Sequence, residues 1–140
     1  MIVTKKISLQ SKGHCDIIDI TSQVEQKLSE TNINSGTVTI FVSGSTAGVT
    51  TIEFEPGLLS DFQNMWERII PKNIPYDHDH RWGDGNGYSH VRASLLSASL
   101  VIPFNDKRLL LGTWQQIVLV DFDNRPRLRE LIVQIMGEQS

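Results

Sequence analysis

The sequence predicts an α+β fold, sandwich-like, with mixed or antiparallel sheet and two or three helices, in one domain over residues 1–140. Three observations carry this. Most apolar residues lie in short runs rich in β-branched and aromatic types, the composition of strands. Turn signals built from Gly, Pro, Asn and Asp separate those runs. Helical periodicity is clear in only two stretches, and they do not alternate regularly with the strands, as a parallel α/β chain would require.

Residues 2–10 (IVTKKISLQ) alternate apolar and polar and read as a strand, with Ser11-Lys12-Gly13 as its turn. HCDIIDI (14–20) reads as a second strand. Ser22 with Glu25 forms a capping box for a short helix whose Val24 and Leu28 share a face. TVTIFVS (37–43) and VTTIEFE (49–55) read as strands. Pro56-Gly57 then opens a helix in which Leu58, Leu59, Phe62, Met65, Trp66, Ile69 and Ile70 point inward. After Pro71 and Pro75 comes a polar loop. LLSASLVIPF and RLLLGTWQQIVLVDF read as strands joined through Asn105-Asp106-Lys107. LRELIVQIMG mixes both periodicities and is assigned as a strand because Ile132, Val133 and Ile135 are β-branched.

The totals exclude several classes. A length of 140 residues suits one domain, since domains most often hold roughly 100–150 residues. Net charge is −3 and the pI about 5.7, which speaks against nucleic-acid binding. No apolar run reaches the ~18 residues of a membrane span, and no secretory leader is visible, so a cytoplasmic location is expected. The single Cys15 cannot form an internal disulfide and is expected to be a buried, inert thiol. Arg125, Arg127 and Arg129 alternate along an extended segment, a solvated face or a place for a small phosphate.

The chemistry concentrates in residues 77–92, DHDHRWGDGNGYSHVR, with His78, His80 and His90, Asp77, Asp79 and Asp84, and three glycines. Imidazoles and carboxylates bind divalent metals and move protons near neutral pH. If the segment is extended, His78 and His80 share a face, roughly 6.6–7 Å apart at ~3.3 Å per residue. Both could then reach one metal, with Asp84 or His90 closing the shell. The competing reading is a polar loop whose histidines cap backbone groups. His90 and Arg92 would likewise share a face, Arg92 holding a phosphate or pairing with Asp84 or Glu53.

Gly44-Ser45-Thr46-Ala47-Gly48 offers backbone N–H groups and two hydroxyls as a cradle for phosphate oxygens, though without a Walker lysine. Trp114 is expected in the core. Gln115 inside a sheet would need a hydrogen-bond partner, which a ligand or a neighbouring subunit could supply. Glu53, Glu55 and Asp121 are carboxylates within strand runs, and one of them is a candidate metal ligand or base.

These motifs, GSTAGVTTIE (44–53), Tyr76-x-His78, WGDGNGYSHVRAS (82–94) and LGTWQQ (111–116), together resemble the YjbQ-like family, and in order they cover nearly the whole chain. The resemblance implies an α+β homotrimer with secondary thiamine-phosphate synthase activity, joining an aminopyrimidine diphosphate to a thiazole phosphate and releasing pyrophosphate. It implies a divalent metal (Mg or Zn) on His78, His90 and Asp84, and a catalytic group of His90, His78, Asp84 and Arg92. Gly44, Ser45, Thr46, Arg92, Trp82 and Gln115 would bind substrate or phosphate, with Trp82 or Tyr88 stacking on a ring. One departure stands out: many members carry a histidine where this chain has Gly44. Two other readings use the same residues, a metal-dependent hydrolase and a non-catalytic small-molecule-binding trimer.

Overall fold

A computed structural model describes residues 1–139. The elements in chain order are β1 (Ile2–Ser11), β2 (Asp16–Asp19), α1 (Thr21–Ser29), β3 (Ser35–Val42), β4 (Ala47–Ile52), α2 (Pro56–Ile69), α3 (Asp77–Trp82), α4 (Gly87–Leu96), β5 (Ser99–Asn105), β6 (Arg108–Leu109), β7 (Gln116–Asp121) and β8 (Arg127–Glu138). All strand pairings are antiparallel. One sheet runs β1-β8-β3-β5-β6 and the other β2-β7-β4. The α+β class is as expected, but the described residues form four helices. None of the described helices is long and apolar enough to cross a membrane.

The small sheet is the middle of three layers, and β7 shows why. Ile117 and Leu119 pack with Val38, Ile40, Leu131, Val133 and Ile135 of the large sheet. Val118, Val120 and Phe122 point the other way, onto Trp66, Tyr88 and Ala93 of α2 and α4. A strand covered on both faces has no solvent side on which to place polar residues, so IVLV runs unbroken. Aromatic edges close this second cluster, with Trp66 meeting Phe62 at 5.8 Å and Phe122 at 4.9 Å between ring centres.

Local expectations fail where a nearer group takes the role. The Ser22/Glu25 box does not form, because α1 already begins at Thr21 and Ser22 lies inside its first turn; Asp19 Oδ1 instead accepts from Thr21 N (3.0 Å) and Thr21 Oγ1 (2.7 Å). Glu55 is the N-cap of α2, accepting from Gly57 N (2.9 Å) and Leu58 N (2.7 Å). Those two N–H groups hold its carboxyl below the usual carboxylate range. On α2, Trp66 is buried and Ile70 follows it inward, while Ile69 faces out. Trp114 is 72% exposed rather than core, since residues 110–115 form a loop before β7. Gln115 is therefore outside the sheet, donating to Thr51 Oγ1 and accepting from Gly112 N, so it needs no ligand.

His14 and Cys15 are not strand but a left-handed turn, with φ of 56° and 62°. The Cys15 thiol is buried as expected, and burial pushes its pKa up to about 11. Leu95 and Leu96 close α4 rather than opening a strand. Asp106 and Lys107, both at positive φ, make the β5–β6 turn.

Candidate functional site

Residues 77–92 are not extended; they fold into α3 and α4. Gly83 caps α3 in the left-handed region (φ 68°), and Gly85 (φ 69°) turns the chain again. The two helices then meet so closely that a Cβ on Gly87 would stand 2.5 Å from Tyr76 Cβ. This fold-back sets two carboxylates at the start of α4, where backbone N–H groups lack helical partners. Asp79 Oδ1 accepts from Gly87 N at 2.8 Å, and Asp84 Oδ1 accepts from Asn86 N at 3.2 Å.

His78 Nδ1 lies 3.5 Å from each of those oxygens. That is ion-pair range, yet the atom is buried and makes no hydrogen bond. Ligand atoms of His78, Asp79 and Asp84 all fall within 4.8 Å of one another. Two donors on one ion can be separated by at most twice the bond length, ~4.0–4.4 Å for Mg or Zn and ~4.6–5.2 Å for Ca. The 3.5 Å spacings satisfy either limit. They are too long for good hydrogen bonds.

His90, one α-helical turn into α4, sets its ring 4.6 Å from that of His78, tilted by 47°. Its Nδ1 lies 3.1 Å from Ser45 O. A carbonyl only accepts, so Nδ1 carries the hydrogen and the neutral ring keeps a lone pair on Nε2. The structure therefore joins the expected His78, Asp84 and His90, and adds Asp79. His80 stays exposed on α3.

Arg92 does not join them. Consecutive helical residues turn by about 100°, so Arg92 lies on nearly the opposite side of α4 from His90. Its guanidinium is buried, with Nε (3.0 Å) and Nη2 (2.8 Å) donating to Ile70 O and Nη2 also reaching Glu67 (3.0 Å). It faces Tyr88 at 4.9 Å, which places that tyrosine in the core rather than over a ligand. Burial pushes the Glu67 carboxyl up, but Arg92 and Lys72 together outweigh it and hold it below its usual range. Trp82 is 67% exposed, beside Arg81.

Thr46 is likewise unavailable to a phosphate, because its hydroxyl belongs to a buried charge network absent from the sequence expectations. Thr46 Oγ1 donates to Asp123 Oδ2 (2.9 Å) and accepts from Arg129 Nη2 (2.6 Å). Arg129 grips Asp121 with two bonds, Nε to Oδ2 at 2.7 Å and Nη2 to Oδ1 at 2.8 Å, and Ser11 also donates to Asp121. Arg127 Nε reaches Asp123 Oδ2 at 3.0 Å. Asn86 Nδ2 donates to Asp123 Oδ1 at 3.2 Å and ties the start of α4 to this network. Strand parity explains it. Asp121 follows Ile117 and Leu119 on one face of β7, and Arg129 precedes Leu131 and Val133 on one face of β8, so opposite charges meet between the sheets. Burial pushes the Asp123 carboxyl up, but the bonds from Thr46 and Asn86 and the charge of Arg127 outweigh it and hold it below the usual range. The signal was legible only as DFDNRPRLR, carboxylates and guanidiniums both at alternate positions.

Beside His90 a cleft of about 420 Å³ opens between residues 44–47 and α4, lined by Gly44, Ser45, His90, Ser94 and Ser97 among others. Ser97 takes φ 93°, ψ 151°, a costly backbone for a residue with a Cβ. A larger hollow, about 700 Å³ between α1 and residues 107–116, includes Gln115 but no histidine. None of Glu53, Glu55 or Asp121 belongs to the His78 cluster.

The description of the UPF0047 protein YjbQ-like family matches residues 5–138. The chain belongs to that family. The YjbQ-like chain is 35% identical over 131 residues to a UPF0047 protein of Archaeoglobus fulgidus, covering 94% of this chain and 99% of the relative. It is 34% identical over 134 residues to the Bacillus subtilis UPF0047 protein YugU, covering 95% and 98%. A YbjQ-like protein of unknown function from Sulfolobus solfataricus superposes with a TM-score of 0.92 at 32% identity, covering 99% of both chains. The expected thiamine-phosphate synthase activity is overturned. The family and these relatives carry family names and no reaction, and the Sulfolobus protein is described as of unknown function.

Proposed function

We propose that this YjbQ-like chain binds a divalent cation through His78, Asp79 and Asp84, with His90 at the rim, and receives a small phosphorylated molecule in the cleft beside it. The observation that carries this is the 3.5 Å spacing of His78 Nδ1 from two carboxylate oxygens without a hydrogen bond to either. Such an arrangement leaves an orphaned buried nitrogen facing two anionic donors, which a cation would satisfy together. Three protein ligands leave coordination positions open, as in sites that take a water or ligand. A bound cation would neutralise and polarise phosphoryl oxygens. The protein's own part is to orient: α4 fixes both carboxylates by its N–H groups, and Ser45 O fixes the His90 tautomer.

Titration of chelator-stripped protein with Zn²⁺ and Mg²⁺, followed by calorimetry and elemental analysis, tests this. Stoichiometric binding should weaken at least ~10-fold in His78→Ala with circular dichroism unchanged. Equal binding by His78→Ala and wild type would remove the site from consideration. Self-association and a cytoplasmic setting are further proposals. Phe41, Val101 and Met136 are exposed on the strands of the large sheet, and light scattering would report whether copies cover them.

A further inference from the structure

We propose that Ser97 is a specificity-determining residue of the cleft beside His90, its hydroxyl bonding the hydroxylated body of a ligand whose phosphoryl group lies on the cation. This rests on reading the cleft as the seat of a small phosphorylated molecule.

Ser97 closes α4 with φ 93° and ψ 151°. That is not the left-handed helix cap, whose ψ lies near ~47°. It falls in a region that is essentially glycine's alone, where a side chain strains the backbone. The fold holds this conformation from both sides. Ser97 N donates to Ala93 O at 2.9 Å, and Ser97 O accepts from Val49 N at 3.1 Å. β4 presses on the same turn, since a Cβ on Gly48 would stand 2.7 Å from Ser97 O.

Glycine would meet each of these demands without strain. The chain keeps a serine instead, and with its N–H and C=O both engaged only the hydroxyl remains to offer. That hydroxyl has no hydrogen-bond partner among the described residues, and Ser97 lines the cleft. An outlier held in place by its surroundings, with a free polar group at a cleft, points to a role in binding.

The other polar groups of the cleft decide what it meets. His90 Nδ1 gives its hydrogen to Ser45 O, which leaves a lone pair on Nε2. Ser94 Oγ gives its hydrogen to His90 O at 2.9 Å, so towards a ligand it only accepts. Among the described residues no Lys, Arg, Asp or Glu lines the cleft. Lone pairs without a cationic side chain repel phosphoryl oxygens and suit O–H donors. The phosphoryl end therefore belongs on the cation of His78, Asp79 and Asp84, and the cleft takes uncharged, hydroxyl-bearing carbons. Ser97, able to donate or accept, separates a ligand with those hydroxyls from one without them.

Glycerol 1-phosphate and propyl phosphate share a charge and a carbon chain and differ in hydroxyls, so calorimetry of the pair on Zn²⁺-loaded protein isolates the cleft. Wild type should favour glycerol 1-phosphate by ~3–10-fold, the equivalent of one net hydrogen bond. Ser97→Gly should bring the two esters within about 2-fold of each other. Its urea midpoint should be no lower than that of wild type, because the strain is released. Ser97→Ala, which keeps the Cβ, should lose the preference as well. Equal binding of both esters by wild type, or a preference kept by Ser97→Gly, overturns the role of Ser97; loss of both esters in His78→Ala would then leave the cation site standing. Failure of either ester to bind Zn²⁺-loaded wild type overturns the proposal together with the reading beneath it.

Discussion

Two polar clusters meet at Asn86 in this protein, and they are built oppositely. The network of Thr46, Asp121, Asp123 and Arg129, with Arg127 at its partly exposed edge, is buried, charge-balanced and dense in hydrogen bonds. The cluster of His78, Asp79, Asp84 and His90 is half-exposed, rich in carboxylate and imidazole, and leaves His78 Nδ1 without a partner. Charges taken out of water must be matched inside the protein, whereas charges at the rim can await a ligand. Completeness of pairing thus separates a cluster that holds the fold from one that meets solutes.

The comparison breaks most visibly at Arg129. Arg129→Met strands Asp121, whose side chain is fully buried, and should cost ~3–5 kcal/mol in urea unfolding. A loss below ~1 kcal/mol would mean the network is not what joins the sheets. A smaller effect is expected at Gly87, where a methyl group must displace Tyr76. Gly87→Ala should lose ~1–3 kcal/mol and should move the His78 ring resonances, because Asp79 would lose its hold on Gly87 N. Unchanged His78 signals would show that the helix contact does not set the cluster.

The smallest effect concerns acid. Asp123 has its folded pKa depressed, so its contribution is full above the unfolded value of ~3.9 and fades as pH falls through the lower folded value. Between pH ~5 and ~3, wild type should therefore lose more unfolding free energy than Asp123→Asn. Parallel pH curves for the two would place the acid sensitivity elsewhere.

Much of the fold was legible in order along the chain. Period-two alternation marked β1, β-branched and aromatic composition marked β3, and the β-branched residues of LRELIVQIM rightly outweighed its helical pattern. The helices of the site were not legible, for a physical reason. α3 buries no residue, so no apolar stripe marks it. α4 buries Gly87, Tyr88, Ser89, Arg92 and Ala93, a stripe largely without hydrophobic side chains. With that period invisible, 77–92 passed for an extended loop. Composition singled out His78 and His90, whose rings the structure brings together, and Arg92 was placed on the wrong side of its element.

The sequence by itself determined the residue types, the strand alternation and the concentration of imidazole and carboxylate between Asp77 and His90, because these are local properties. Only the tertiary structure decided which charges meet. Asp121 and Arg129 lie on strands of different sheets, and their encounter depends on how the two layers stack. His78 and His90 meet because Gly83, Gly85 and Gly87 let α3 turn back onto α4. Parity and helical phase assign each side chain a face, but what lies across that face is fixed by packing over distances no local pattern records.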